Sequence, residues 1–277
     1  MTKKETEEIK EETVKKPLGP PKSVFREYFE SLVVTLIMAI FGMTFILQAV
    51  TVPTGSMQNT ILIGDYLLVN KFIFAPGGKP IPFLPQREIQ RGDIIVFKYP
   101  GFRNNPNRDR VRGITPYQIN YVKRVIGLPG ETVEFRNNQV FINGQLLPEH
   151  RIIGDADDDQ SALETKEIEA KTPDEPYSVY YSERTMQATE NGQAPSRNGY
   201  DFGVEGKITK IPEDSYFVMG DSRDNSEDSR FWGFVNRDLV IGQAMFVYWS
   251  CDRGASGGSM LGCITNPRLS RIGKMIK

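Results

Sequence analysis

From Leu32 to Val50 the chain reads LVVTLIMAIFGMTFILQAV, 19 residues without a charged side chain. A core helix would keep a polar face, and this run is apolar on every side. A cleaved leader has a shorter apolar region and then a small-residue cut site, whereas this run leads directly into PTGSM. As a helix rising about 1.5 Å per residue it reaches roughly 28 Å, close to the thickness of a bilayer's hydrocarbon core. The pattern predicts an uncleaved transmembrane anchor, assigned to residues 23–50. The residues ahead of it, MTKKETEEIKEETVKK, alternate acid and base without apolar periodicity and predict a disordered tail over 1–22.

Beyond residue 51 the period changes. Short runs rich in Val, Ile, Tyr and Phe, separated by turn residues, predict strands. They are YLLVNKF (66–72), DIIVFKY (93–99), INYVKRVIG (119–127), TVEFR (132–136) and QVFIN (139–143), then SVYYSE (178–183), SYFVMG (215–220) and LVIGQAMFVYW (239–249). Asn137 and Asn138 mark a hairpin turn, because Asn tolerates positive φ. Two stretches interrupt the pattern. Residues 76–92 are rich in Pro and Gly, and residues 149–207, which carry GDADDDQ near their start, are polar, mainly acidic and turn-prone. No internal repeat is visible. The expected fold class is mostly β. A single N-terminal transmembrane helix precedes an antiparallel β domain over 51–148 and 208–277, which holds an inserted cap or subdomain at 149–207.

Charge refines this picture in two ways. With 34 basic and 35 acidic residues the net charge is −1, so no clustered basic face argues for nucleic acid. Around the apolar run, however, the charge is asymmetric. Lys15, Lys16, Lys22 and Arg26 precede it, and no Lys or Arg follows until Lys71. That bias predicts a cytoplasmic N-terminus and an external β domain. In an oxidising compartment Cys251 and Cys263 favour a disulfide over two free thiols. No further Cys or nearby His completes a zinc site, and neither metal nor cofactor is expected.

Candidate chemistry centres on Ser56, six residues past the apolar run in PTGSMQNTILIGDYLLVNKF (53–72). A surface turn can hold a serine for no chemical reason, and a serine hydroxyl is a poor nucleophile until a neighbour takes its proton. The one histidine, His150, sits at the edge of the polar insertion and reads as a surface residue. In YVKRVIG the period-2 alternation places Tyr121, Lys123 and Val125 on one face and Val122, Arg124 and Ile126 on the other, so one of the two cations is expected to point inward. Burial that brings a lysine from ~10.4 to ~7–8, where it works as a base, destabilises its ammonium by roughly 4 kcal/mol. The stretch VMGDSRDNSEDSRFWGFV (218–235) reads either as a loop satisfying its own backbone through Asx turns and ion pairs or as a polar platform that positions a catalytic group.

These blocks together resemble the bacterial type I signal peptidases, or leader peptidases, which are membrane-anchored serine proteases with a Ser-Lys dyad. The resemblance rests on PTGSM…GDYLLVNKF, RGDIIVFKYP, YVKRVIGLPGETVE and GDSRDNSEDSRFWGF, in that order behind the apolar run. It implies a mostly β fold of coiled sheets, with Ser56 as nucleophile and Lys123 as general base. It places the oxyanion hole at the Ser56 N–H and the Thr54 hydroxyl. Ser226 is implied to hydrogen-bond the lysine, and Asp228 with Arg230 to form a supporting pair. Two positions depart from the family pattern: Asn59, where many relatives carry proline, and Ser222, where they often carry asparagine.

The implied activity is removal of signal peptides from exported preproteins, with small side chains at the first and third residues before the cut. By position, Val50, Val52, Met57, Tyr121 and Val122 are candidates to line those pockets or simply to pack the core. The partners implied are preprotein signal peptides and the lipid bilayer, with the protein-export translocon as a further candidate, and the implied location is the inner (plasma) membrane. Two other readings stay open. One keeps the dyad in a processor of a specialised substrate, and the other is a single-pass protein whose β domain only binds a secretion partner.

Overall fold

The computed structural model describes residues 23–75, 79–155, 162–192, 200–252 and 260–277. It separates into a unit up to Gly42 and a second unit from Met43 to Lys277. The tail expected over 1–22, with Lys15, Lys16 and Lys22, lies outside the described residues, as do 156–161 and 193–199 of the inserted stretch.

The first unit is helix α1 (Val24–Phe41), capped by the Ser23 side chain, which accepts from the Arg26 N–H. It carries no buried residue. Together with the wider π turn Gly42–Ile46 it forms a 23-residue helix, Val24–Ile46, long and apolar enough to cross a membrane.

The second unit is built from strands. In chain order they are β1 (Leu47–Thr51), β2 (Asp65–Asn70), β3 (Ile94–Lys98), β4 (Asn120–Gly127), β5 (Thr132–Arg136), β6 (Gln139–Ile142) and β7 (Gln145–Leu146). Then follow β8 (His150–Asp155), β9 (Glu164–Glu167), β10 (Ser178–Tyr181), β11 (Thr209–Lys210), β12 (Ser215–Met219), β13 (Val235–Asn236) and β14 (Val240–Ser250). Short helices α2 (Pro106–Val111), α3 (Glu183–Glu190), α4 (Ser229–Trp232) and α5 (Met260–Thr265) fill the connections.

A seven-stranded antiparallel sheet runs β1-β2-β14-β3-β4-β12-β13. Bulges interrupt its registers at Phe217/Val218 and along β14, and each bulge bends and twists the strand that carries it. The hairpin β5–β6 turns on Asn137 and Asn138, at φ 49° and 58°, with Arg136 paired to Gln139. That turn follows the expectation from the asparagines.

The apolar run does not stay helical to Val50 as expected. Leu47–Thr51 is the edge strand β1, pairing with β2 from Leu47↔Asn70 to Thr51↔Tyr66. Absence of charge is common to a membrane helix and to a buried strand, and here the β2 edge supplies the backbone partners that decide between them.

Both faces of the large sheet are covered. One apolar cluster joins Ile95, Phe97, Val125, Val218 and Trp232, with Tyr121 packed against it. Another joins Val52, Met57, Leu67, Val69 and Val247, with Val50 and Val122 against it. The insertion is no detached cap. Its sheet, ordered β10-β8-β9 with β10 parallel to β8, sends Val179 and Tyr181 into a third cluster with Ile126 and Phe217. Cys251 and Cys263 form a disulfide.

Candidate active site

Ser56 lies in the turn between β1 and β2. Two backbone bonds close that turn, Gln58 N–H to the Gly55 carbonyl (2.9 Å) and Ile61 N–H to the Met57 carbonyl (2.7 Å). Met57 and Ile61 are buried, and they hold Ser56 in place at 7% exposure. Apolar anchors on one side of the turn thus fix a hydroxyl that faces a cleft.

Lys123 stands mid-strand on β4, opposite Ile95 of β3. It is 3% exposed, and its Nζ lies 5.4 Å from the centre of the Tyr121 ring. The Nζ–H donates to Ser56 Oγ. Burial drives the ammonium down, the Asp228 and Glu227 carboxylates push it partly back, and the outcome is a pKa lowered to about 8. Desolvation wins because no carboxylate among the described residues bonds the amine directly.

The loop between β12 and α4 closes the arrangement. Its Ser222 N–H donates to the Ser56 carbonyl (3.2 Å), its Asp221 N–H to Met57 Sδ (3.4 Å), and Thr60 Oγ1 donates to Asp221 Oδ2 (2.6 Å). A Cβ at Gly220 would collide with the Ser56 carbonyl oxygen and Ser226 Oγ, so only glycine lets the loop pass this close. Asp228 then accepts from Ser226 Oγ (2.7 Å), the Gly220 N–H (3.1 Å) and both Arg230 Nε and Nη2 (2.8 Å each). Burial alone would raise the Asp228 carboxyl, but the Arg230 guanidinium and these donors outweigh it and hold it below its usual range. The expected bond from Ser226 to Lys123 is not formed. The Ser226 hydroxyl is committed to Asp228, so Ser226 reaches the lysine only through the charge it helps to fix.

The other expected residues divide. Thr54, Val52, Met57, Tyr121 and Val122 line the same cleft as Ser56 and Lys123, joined by Arg112, Asn120, Asn225 and Glu227. Val50 does not line it and packs, partly buried, against the apolar cluster that includes Met57. No hydrogen bond among the described residues engages the Thr54 hydroxyl or the Ser56 N–H. His150 is not the surface residue expected. It is buried in the insertion, with Nδ1 3.3 Å from Glu175, and it lines a different pocket. Among the described residues no group of three or more His, Cys, Asp or Glu is placed to hold a metal ion.

Several pairings around the site were not anticipated from the sequence. Alternation along β4 allowed one inward cation, yet Arg124 is buried as fully as Lys123. It forks onto Asp221 (2.7 Å to each oxygen) because the sheet is covered on both faces. Asp65 is buried below the Ser56 turn and held by Ser250 Oγ (2.7 Å) and Arg271. Arg223 pairs with Glu149 of the insertion (2.8 Å). Each pair joins segments far apart in sequence, and nothing local announces them. Asn59 adopts φ 67°, which a proline ring cannot take, and its amide oxygen accepts from the Leu163 N–H (2.8 Å). The departure from proline therefore matches this turn.

The chain was compared with known proteins. A family model described as signal peptidase, peptidase S26, matches residues 25–249. Signal peptidase I of Aquifex aeolicus is 31% identical over 286 aligned positions, covering 90% of this chain and 98% of the relative. Signal peptidase I of Pseudomonas aeruginosa is 32% identical, covering 81% of this chain and 72% of its own. A probable signal peptidase I-2 of Synechocystis is 29% identical, covering 90% and 84%. With a family match across most of its length and these relatives aligned over most of theirs, the chain belongs to the peptidase S26 signal peptidase family.

Proposed function

We propose that this membrane-anchored peptidase removes N-terminal signal peptides from exported preproteins through an acyl-enzyme on Ser56, with Lys123 as general base. The observation that carries the reading is the buried Lys123 amine hydrogen-bonded to the Ser56 hydroxyl in a cleft that also holds Thr54. With Lys123 neutral, its lone pair accepts the Ser56 proton as Oγ attacks the scissile carbonyl. The Ser56 N–H and the Thr54 hydroxyl donate to the oxyanion that develops. The Lys123 ammonium then protonates the leaving amine, which departs as the new N-terminus. A water molecule deprotonated by the same lysine hydrolyses the ester and restores Ser56. Asp228, ionised and locked by Arg230, maintains the loop that holds the Ser56 carbonyl.

Specificity for small residues at the first and third positions before the cut follows from shallow apolar surface at Val52, Met57 and Val122. An extended substrate sends alternate side chains to the same side, so both positions meet that wall. The flanking charges favour a cytoplasmic N-terminus and a catalytic unit on the outer face of the plasma membrane.

The test is cleavage of a preprotein by wild type, Ser56→Ala, Lys123→Met and the double variant in parallel. Each single change should abolish cleavage while the thermal transition persists, and the double variant should lose no more than either, because the two side chains form one proton-transfer unit. Residual turnover in Lys123→Met that is lost in His150→Ala would overturn the dyad.

A further inference from the structure

The cleft has two walls of different chemistry. Val52, Met57 and Val122 form the apolar one. The other side of β4 presents Tyr121 and Lys123, and alongside them Arg112 and Glu227 line the cleft. Ser226 and Asp228 are buried and extended, so the backbone alternation turns Glu227, lying between them, the other way. There Glu227 accepts from Arg112 Nη1 at 2.6 Å, and Arg108 Nη2 stands 3.5 Å from its other oxygen. Two guanidiniums thus share the Glu227 carboxylate, while the nearby Asp109 carboxylate is buried and bonded to the Tyr99 hydroxyl and the Phe102 N–H, away from the cleft. Burial and the Glu227 and Asp109 carboxylates raise the Tyr121 phenol, and Arg112 opposes them, so both charges of the Arg112–Glu227 pair reach that ring. Arg112 remains 40% exposed, open to a substrate group.

Resting on the reading that the cleft binds a signal peptide in extended form, we infer that Arg112 is a specificity-determining side chain for the residue between the two small ones. When the first and third residues before the cut face the apolar wall, the second faces Tyr121 and Arg112. An acidic side chain there gains a guanidinium partner, and a basic one meets Arg112 and Arg108 at close range. Glu227 holds Arg112 in place and tempers its charge. The protein therefore favours Glu over Lys at this position.

The experiment uses the full chain in neutral-lipid vesicles and one preprotein carrying Glu, Gln or Lys between its two alanines. kcat/KM is measured for wild type, Arg112→Gln and Glu227→Gln. The Glu-to-Lys ratio cancels effects of the variants on Lys123 that are common to all substrates. Wild type should prefer Glu over Lys by about two- to fivefold at low salt, the scale of a partly exposed ion pair, and less at high salt. Arg112→Gln should bring the ratio to about one or below, and Glu227→Gln should widen it. Equal ratios in all three proteins would overturn the inference alone. Failure of wild type to cut any of the three preproteins would overturn the peptidase reading and this inference with it.

Discussion

At the scale of single residues the proposed chemistry depends on keeping one amine neutral. Lys123 has a pKa of about 8, so the active form is the deprotonated one and lowering the pH removes it. The kcat/KM of the wild type should rise through an acid limb near that value. At pH 7 roughly a tenth of the plateau remains, where an unshifted lysine would leave less than about a thousandth. A limb near 10, or one near 6.5 that disappears in His150→Ala, would remove Lys123 from the mechanism. Thr54→Val tests the oxyanion partner. The substitution keeps the shape and removes one donor, so kcat should fall by about 10²–10³ with KM little changed.

At the scale of elements the site is the meeting of one strand with two turns. β4 brings Lys123, the proposed base, the β1–β2 turn brings Ser56, the proposed nucleophile, and the loop before α4 clamps that turn through the Ser56 carbonyl. The clamp depends on backbone proximity, so its weakest point is Gly220. Gly220→Ala places a methyl group against the Ser56 carbonyl and the Ser226 hydroxyl. The loop must then withdraw, at about 1–3 kcal/mol of stability. A lower thermal midpoint and a loss of kcat well beyond that destabilisation are expected. Asp228→Asn probes the same clamp through charge. It leaves the buried Arg230 without its carboxylate, and removing one partner of such a pair costs about 3–5 kcal/mol. Because Asp228 also holds the Lys123 ammonium up, any remaining activity should show its acid limb at lower pH.

At the scale of the whole molecule the apolar helix and the β unit divide the work. In the proposed reaction the preprotein is held in the membrane too, and anchoring both in one plane raises the effective concentration of each for the other. A chain beginning at Met43 should retain the sheet and cleave soluble peptides. It should be markedly slower than the full chain on preprotein held in vesicles, and equal rates on vesicle-held preprotein would refute the role of the anchor. A chain beginning at Val52 should be less stable than one beginning at Met43, because it lacks β1 and leaves the β2 edge unpaired. Comparing the two thermal midpoints checks this.

Local physics made much of this protein legible before any fold was known. Apolar length marked the span, period-2 runs marked most of the large strands, and Asn137 and Asn138 marked their hairpin. The ordered blocks around Ser56, Lys123 and Asp228 marked the family, because residue types at fixed local spacings can be read along the chain. What the sequence could not show depends on neighbours distant along the chain. Leu47–Thr51 is a strand only because β2 offers it a ladder. His150 is buried only because the insertion folds onto the core. Ser226 serves Asp228 instead of Lys123 because of where the loop before α4 turns. Arg124 and Lys123 are adjacent, both cationic and both buried, yet one is a guanidinium neutralised by Asp221 and the other an amine without a direct carboxylate. Burial and pairing belong to the assembled sheet, and they set which of the two can give up its proton.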